Sequence, residues 1–214
     1  MVETFVEVRR RALGLVLFAA TFLSAGAVWS ALPGPDDPAL ARIEAYLNGI
    51  ETLRSNFVQI NPDGASVTGE LFYAKPDKMR LEYDPPSRIL IVANRWQVIH
   101  HDRRLKQVSH LLTGSTPLGF LLAEDIELGG DVTVTDLEDM GGELRVTLVQ
   151  TEEPNQGSIT LVFADQPMQL RRWTVVDPQG YPTHVLLEDI ETDVEIDEEL
   201  FIFRNPKFDP RGRE

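Results

Sequence analysis

The sequence predicts an α+β protein dominated by antiparallel β-structure, with about eleven strands curling into a barrel-like sheet. Three observations carry that expectation. One helical pattern stands near the start. The spacing of apolar residues then changes from 3.6 to 2 and stays there for most of the chain. The breaks between alternating segments are short and rich in Pro, Gly, Asn and Asp, the residues that tight turns need.

The elements follow in order. Arg9, Arg10 and Arg11 precede an apolar run from Ala12 to Val28 that closes on the small residues Ala25, Gly26 and Ala27. This is the layout of a secretory signal peptide over residues 1–27, cleaved after Ala27. A membrane anchor is the rival reading, because the run approaches the minimum length of a spanning helix. The polar, Pro-rich Pro33–Pro38 that follows favours cleavage. Next, Asp36 or Asp37 caps a helix with Pro38 in its first turn and with Leu40, Ile43, Leu47 and Ile50 on one face. It is expected to end between Asn48 and Glu51.

The predicted strands are 55–60, 66–74, 78–83, 88–93, 96–101 and 104–108, then 131–137, 143–150, 157–163, 169–176 and 181–191. Turn chemistry separates them at Pro62-Asp63-Gly64, Lys75-Pro76-Asp77, Pro85-Pro86, Gly141-Gly142, Glu153-Pro154-Asn155 and Asp177-Pro178-Gln179-Gly180. Between the two groups, Ser115-Thr116-Pro117 reads as a helix start, and residues 118–124 read as its short apolar continuation. Asp197-Glu198-Glu199-Leu200 reads as a capped single turn leading into Phe201-Ile202-Phe203.

Composition narrows the function. The chain of 214 residues holds 34 acidic against 20 basic side chains, a formal charge of −14. Removing residues 1–27 takes three arginines and two glutamates, and leaves it slightly more acidic. That charge argues against nucleic acid and against anionic membrane surfaces. There is no cysteine, so no disulfide can form and no thiol is available for lipid attachment. Residues 28–214 are of a length suited to one domain with a sizeable core.

Catalytic and metal-binding patterns are weak. His100 and His101 are adjacent, so on a strand they face opposite ways and cannot share a metal; His110 and His184 are isolated. The acidic stretch Glu188–Glu199 lacks the glycine of a calcium loop and reads as a solvated strand edge followed by a cap. No nucleophile elbow and no phosphate-binding glycine loop are present. The expectation is a protein that is not an enzyme and needs no cofactor.

The apolar faces say more. Met79, Leu81 and Tyr83 share one face of their strand and Lys78, Arg80 and Glu82 the other. Ile89 and Ile91 align similarly on the next strand, as do Val67, Leu71 and Tyr73 on the preceding one. These residues are either ordinary core or the lining of a cavity, since a curved sheet with few helices must fill its concave side.

The order of motifs resembles the LolA family from about residue 38 to residue 206. It runs from the amphipathic helix to Leu53-Arg54-Ser55-Asn56-Phe57-Val58-Gln59 and a strand containing Gly69. The block 73–83 follows, then the Pro-Pro turn, Ile89–Val92, the Thr116-Pro117-Leu118 segment and the closing 196–203. The resemblance implies an incomplete, half-open β-barrel with helices covering the opening. It implies a periplasmic carrier that binds lipoprotein acyl chains in a hydrophobic cavity and shuttles lipoproteins from the inner to the outer membrane. Acylated lipoproteins would be its cargo. An ATP-driven inner-membrane complex would load it, and an outer-membrane receptor, or the outer membrane directly, would unload it.

Carried over by position, Met79, Leu81, Tyr83, Ile89, Ile91, Leu71 and Phe57 would line the cavity. Leu118, Phe120, Leu121 and Leu122 would form the lid. Lys75 stands where the family usually has an arginine that helps hold the lid, and a lysine lacks the planar fork for bidentate contact. Asn94-Arg95 also replaces the family's Asp-Gly turn. Two other functions suit the same scaffold: a periplasmic lipid or glycolipid binder, and a regulatory sensing domain.

Overall fold

The computed structural model describes residue 34 and residues 37–94 and 96–205; the expected signal peptide at residues 1–27 lies outside the described residues. Helix α1 spans Pro38–Asn48. Asp37 caps it by accepting a hydrogen bond from the Ala39 N–H at 2.8 Å, and Pro38 sits where a missing N–H costs nothing. Leu40, Ile43 and Leu47 bury one face. The helix stops at Gly49, whose N–H bonds the carbonyls of Ala45 and Tyr46.

Eleven strands follow: β1 Thr52–Ile60, β2 Ser66–Ala74, β3 Lys78–Tyr83, β4 Ile89–Asn94, β5 Gln97–Asp102, β6 Gln107–Leu112, β7 Val132–Asp139, β8 Glu143–Gln150, β9 Ser158–Asp165, β10 Met168–Val176 and β11 Pro182–Thr192. All pairings are antiparallel, in the order β6-β5-β4-β3-β2-β1-β11-β10-β9-β8-β7. The first and last strands therefore pair in the middle, and the sheet stays open with β6 and β7 as its edges. Residues 113–131 cross from one edge to the other.

The sheet curls strongly. Met79 on β3 and Leu170 on β10 border one small cavity, although four strand spacings separate them, roughly 19 Å in a flat sheet. The main core sits on the concave side. Leu144, Val146, Leu148, Leu161, Phe163 and Trp173 wall one half of it; Leu53, Leu71, Met79, Leu81 and Tyr83 wall the other. A smaller apolar layer lies on the outer face of β4 and β5. There a 3-10 turn at Glu198–Phe201, capped by Asp197, lays buried Phe201 near buried Leu90, Val92 and Ile99, which share the face opposite Ile91. Arg80 Nη1 bonds the Leu200 carbonyl at 2.9 Å, and the rings of His101 and Phe203 meet edge-on at 5.5 Å.

One expectation is corrected. Residues 115–124 do not form an α-helix. They carry 3-10 turns at Thr113–Ser115 and Gly119–Leu122 separated by an extended Thr116. The apolar run is too short to propagate a helix, and packing against the core takes over. The opening is thus covered by one α-helix and an irregular segment. The acidic end of β11 agrees with the expected solvated edge: Glu188, Glu191 and Thr192 pair with β1, whereas the register with β10 ends at Leu186, and Glu188, Asp189, Glu191 and Thr192 are exposed.

Candidate functional site

The concave face, α1 and the crossing segment 113–131 enclose a cavity of about 40 Å³. Leu47, Ile50, Leu53, Leu71, Tyr73, Met79, Leu121, Ile126, Leu170, Trp173 and Leu187 line it. A space of that size fits about three water-sized spheres, and its walls offer almost no polar partner. The arrangement favours apolar groups.

Each wall has its own cause. On β1 to β3 the two-residue alternation points Leu53, Leu71 and Met79 inward through the register Leu53↔Tyr73 and Tyr73↔Met79. Close approach at Gly69 lets Phe57 lie over the sheet. A Cβ there would sit 2.3 Å from the Glu82 carbonyl oxygen and 2.7 Å from Phe57 Cζ. Phe57 then meets Tyr83 edge-to-face at 5.1 Å. The Tyr83 hydroxyl donates to Gln59 Oε1 at 2.7 Å, and burial pushes its pKa up to about 12. On the far wall α1 is pinned to β9 and β10: the Leu170 N–H donates to Tyr46 Oη at 3.0 Å, Tyr46 stacks edge-on with Phe163, and Arg42 pairs with Asp165.

The crossing segment is a cover held by polar contacts. Asn48, the last residue of α1, donates from Nδ2 to the Ile126 carbonyl at 2.9 Å and accepts the Ile126 N–H on Oδ1 at 2.9 Å. Glu44, one turn earlier, accepts the Leu128 N–H at 2.6 Å. From the sheet, the Tyr73 hydroxyl donates to the Leu121 carbonyl at 2.8 Å, and the Asp77 N–H donates to the Leu122 carbonyl at 2.9 Å. Leu121, Leu122, Ile126 and Leu128 are buried beneath these bonds. Burial raises the Tyr73 pKa well above the usual tyrosine range, so the phenol remains a donor at any physiological pH.

The sequence-derived residues divide accordingly. Leu71, Met79 and Leu121 border the cavity directly. Leu81, Tyr83 and Phe57 are buried on the same face beyond it, and Ile89 and Ile91 are half-buried farther along that face, packed against the core. Leu122 is buried in the cover, whereas Leu118 and Phe120 are half-buried. Lys75 donates from Nζ to Asn48 Oδ1 at 3.0 Å, supporting the residue that holds Ile126. Burial lowers its pKa, opposed by the charges of Glu51 and Asp125. Sequence reasoning missed Asn48, Glu44, Ile126 and Leu128, together with Leu47, Ile50, Leu170, Trp173 and Leu187.

Residues 48–204 match the family described as outer membrane lipoprotein carrier protein LolA. The chain belongs to this family. The LolA match takes in every strand and the whole cover. Among curated relatives, the outer-membrane lipoprotein carrier protein of Methylibium petroleiphilum is 27% identical over 90% of this chain and 95% of its own length. An uncharacterized protein of Rickettsia prowazekii is 25% identical over 81% of both chains. The crystal structure of a LolA superfamily protein from Nitrosomonas europaea covers 77% of this chain and 97% of its own, at 10% identity and a TM-score of 0.45. Among the described residues no helix is long and apolar enough to cross a membrane. The family match and the carrier relatives support a lipid-binding carrier of LolA type.

Proposed function

We propose that the chain carries lipoproteins through the periplasm, with their acyl chains sheltered between the concave face and the cover. The single observation behind this reading is the apolar cavity roofed by a segment whose fastenings are polar and few. At about 40 Å³ the cavity is far too small for an acyl chain, so cargo enters only as the cover lifts. Five latch hydrogen bonds at residues 121–128, each about 1 kcal/mol net, and the exposure of buried cover leucines and Ile126 resist that motion. Acyl chains burying ~0.8 kcal/mol per methylene oppose it, about a dozen methylenes reaching the same order. Loading and release are then close to balance, as a carrier requires. Leu71, Met79, Leu81, Tyr83, Phe57, Ile89 and Ile91 form the acyl-facing wall in this reading. Leu118, Phe120, Leu121 and Leu122 move with the cover, and Lys75 braces the Asn48 latch. An ATP-driven inner-membrane complex loads the carrier. An outer-membrane receptor, or that membrane itself, receives the cargo.

Native mass spectrometry after incubation with membranes containing a triacylated lipoprotein tests the proposal. A one-to-one complex with the intact lipoprotein is the expected outcome. Phospholipid adducts alone would make the protein a general lipid binder, and the absence of any adduct would overturn the carrier reading.

A further inference from the structure

The charges of this acidic chain are unevenly spent. Among the described residues, eight of the lysines and arginines stand in ion pairs: Arg42, Arg54, Lys78, Arg80, Arg103, Arg145, Arg172 and Arg204. Lys75 is taken by Asn48. Arg88, Arg104, Lys106 and Arg171 have no ion pair among the described residues, and the first three gather at one tip of the sheet. The Arg103 N–H bonds the Arg88 carbonyl at 2.9 Å, which sets the entry to β4 against the β5–β6 turn. Arg88, Arg104 and Lys106 are all exposed. Nearby acids are already engaged. Glu82 holds Arg80 and Arg103, Asp102 accepts the Leu105 N–H at 2.8 Å, and Asp84 accepts the Thr68 hydroxyl at 2.6 Å.

Between the cations, at the apex of the turn, stands Leu105, 58% exposed. The turn is sharp, with Lys106 in the left-handed region at φ 55°. A branched apolar side chain flanked by an arginine and a lysine suits the boundary between lipid phosphates and hydrocarbon. An acidic protein surface would meet the cations but would leave Leu105 against charge. We propose that the Arg88/Arg104-Leu105-Lys106 tip docks the protein on anionic phospholipid bilayers. The net charge, which argues against such surfaces, acts at long range and is screened beyond roughly 8 Å at physiological salt. The tip acts within that distance. Its role in setting a carrier against a donor or acceptor membrane rests on the proposed function; its chemistry does not.

The test is vesicle flotation, using the protein as exported and recovered from expressing cells. Vesicles contain phosphatidylcholine alone or with phosphatidylglycerol, in low and high salt. Binding is expected only with phosphatidylglycerol and low salt. Replacing Arg88, Arg104 and Lys106 together by Gln is expected to weaken partitioning roughly a hundred-fold, at about a factor of five per cation. Leu105→Ser should weaken it several-fold, and Arg171→Gln should leave it unchanged. Equal binding to both vesicle types, or by the triple variant, overturns the proposal. So does an equal loss in Arg171→Gln. Binding to an acidic protein column with none to anionic vesicles overturns it too. A fluorescent acyl probe, read on the same samples, separates the two ideas. Its uptake should survive in the triple variant, and its failure in the unmodified protein counts against the carrier reading alone.

Discussion

Replacing Asn48 by Ala should loosen the cover without unmaking the sheet. The substitution removes both hydrogen bonds to Ile126, each 2.9 Å, and the acceptor of Lys75. Ile126 is 2% exposed, so its N–H and C=O would remain paired with nothing until the segment moves. Two lost bonds and the penalty for stranded buried groups amount to about 2–4 kcal/mol. Alanine's better helix propensity returns roughly 0.5 kcal/mol. The population with the cover lifted should therefore rise by roughly ten- to several-hundred-fold. Hydrogen exchange reads this directly at the Leu128 N–H, bonded to Glu44, and at the Asp77 N–H, bonded to Leu122. Both should lose protection by that factor, while the amides of Val146 and Leu161 in the opposite wall change little. If Leu128 and Asp77 keep their protection, Asn48 is not a latch. If all four amides lose it equally, the cover does not open as a separate unit.

Three further expectations follow from the same geometry. Leu81→Glu places a carboxylate on the inner face and should abolish uptake of a fluorescent acyl probe, with Leu81→Ala reducing it only partly; unchanged uptake in both would remove Leu81 from the acyl-facing wall. Gly69→Ala forces a Cβ against the Glu82 carbonyl and the Phe57 ring, so urea unfolding should report a loss of about 2–3 kcal/mol, and a change under about 0.5 kcal/mol would refute the close-approach account. His101 is buried beside Phe203, and burial, then Arg103, lowers its pKa below the ordinary 6.5. The unfolded chain therefore takes up the proton first as pH falls, and stability should decline from about pH 6.5 downward; His101→Phe should flatten that decline, and an identical pH profile would exclude the group.

How much of this could be read from the sequence depends on whether a residue's partner is near it in the chain. β3 and β8 fall on the predicted residues because strict alternation reports burial on one face, and two neighbouring strands satisfy their backbone. The cover was misread for the converse reason. Thr116-Pro117 followed by Leu118–Leu122 has the look of a helix start, yet Gly119 packs so closely on Thr113 that a Cβ would lie 2.2 Å from its carbonyl oxygen. Local propensity lost to that contact. The latch residues carried no signal at all. Asn48 and Glu44 look like the solvated residues of any surface helix, and the groups they hold lie 78 and 84 residues away. Nor does anything local show that the first and last strands meet at the centre of the sheet.

That meeting divides the molecule in an unusual way. Strands β1 to β6 and β7 to β11 are each a continuous meander, built from hairpins between chain neighbours. Besides α1 and the 3-10 turn at Glu198–Phe201, two things join them: the β1–β11 ladder, where Asn56 faces Glu188, and the cover, residues 113–131. The ladder behaves as a spine and the cover as a tether between the free rims. Stretched out, a tether of that length would reach roughly 60 Å, so covalent length sets no limit on how far the rims can part. What keeps the jaws closed is the packing and latching of the tether together with α1, which is pinned to β9 and β10, while the spine can hold its register throughout.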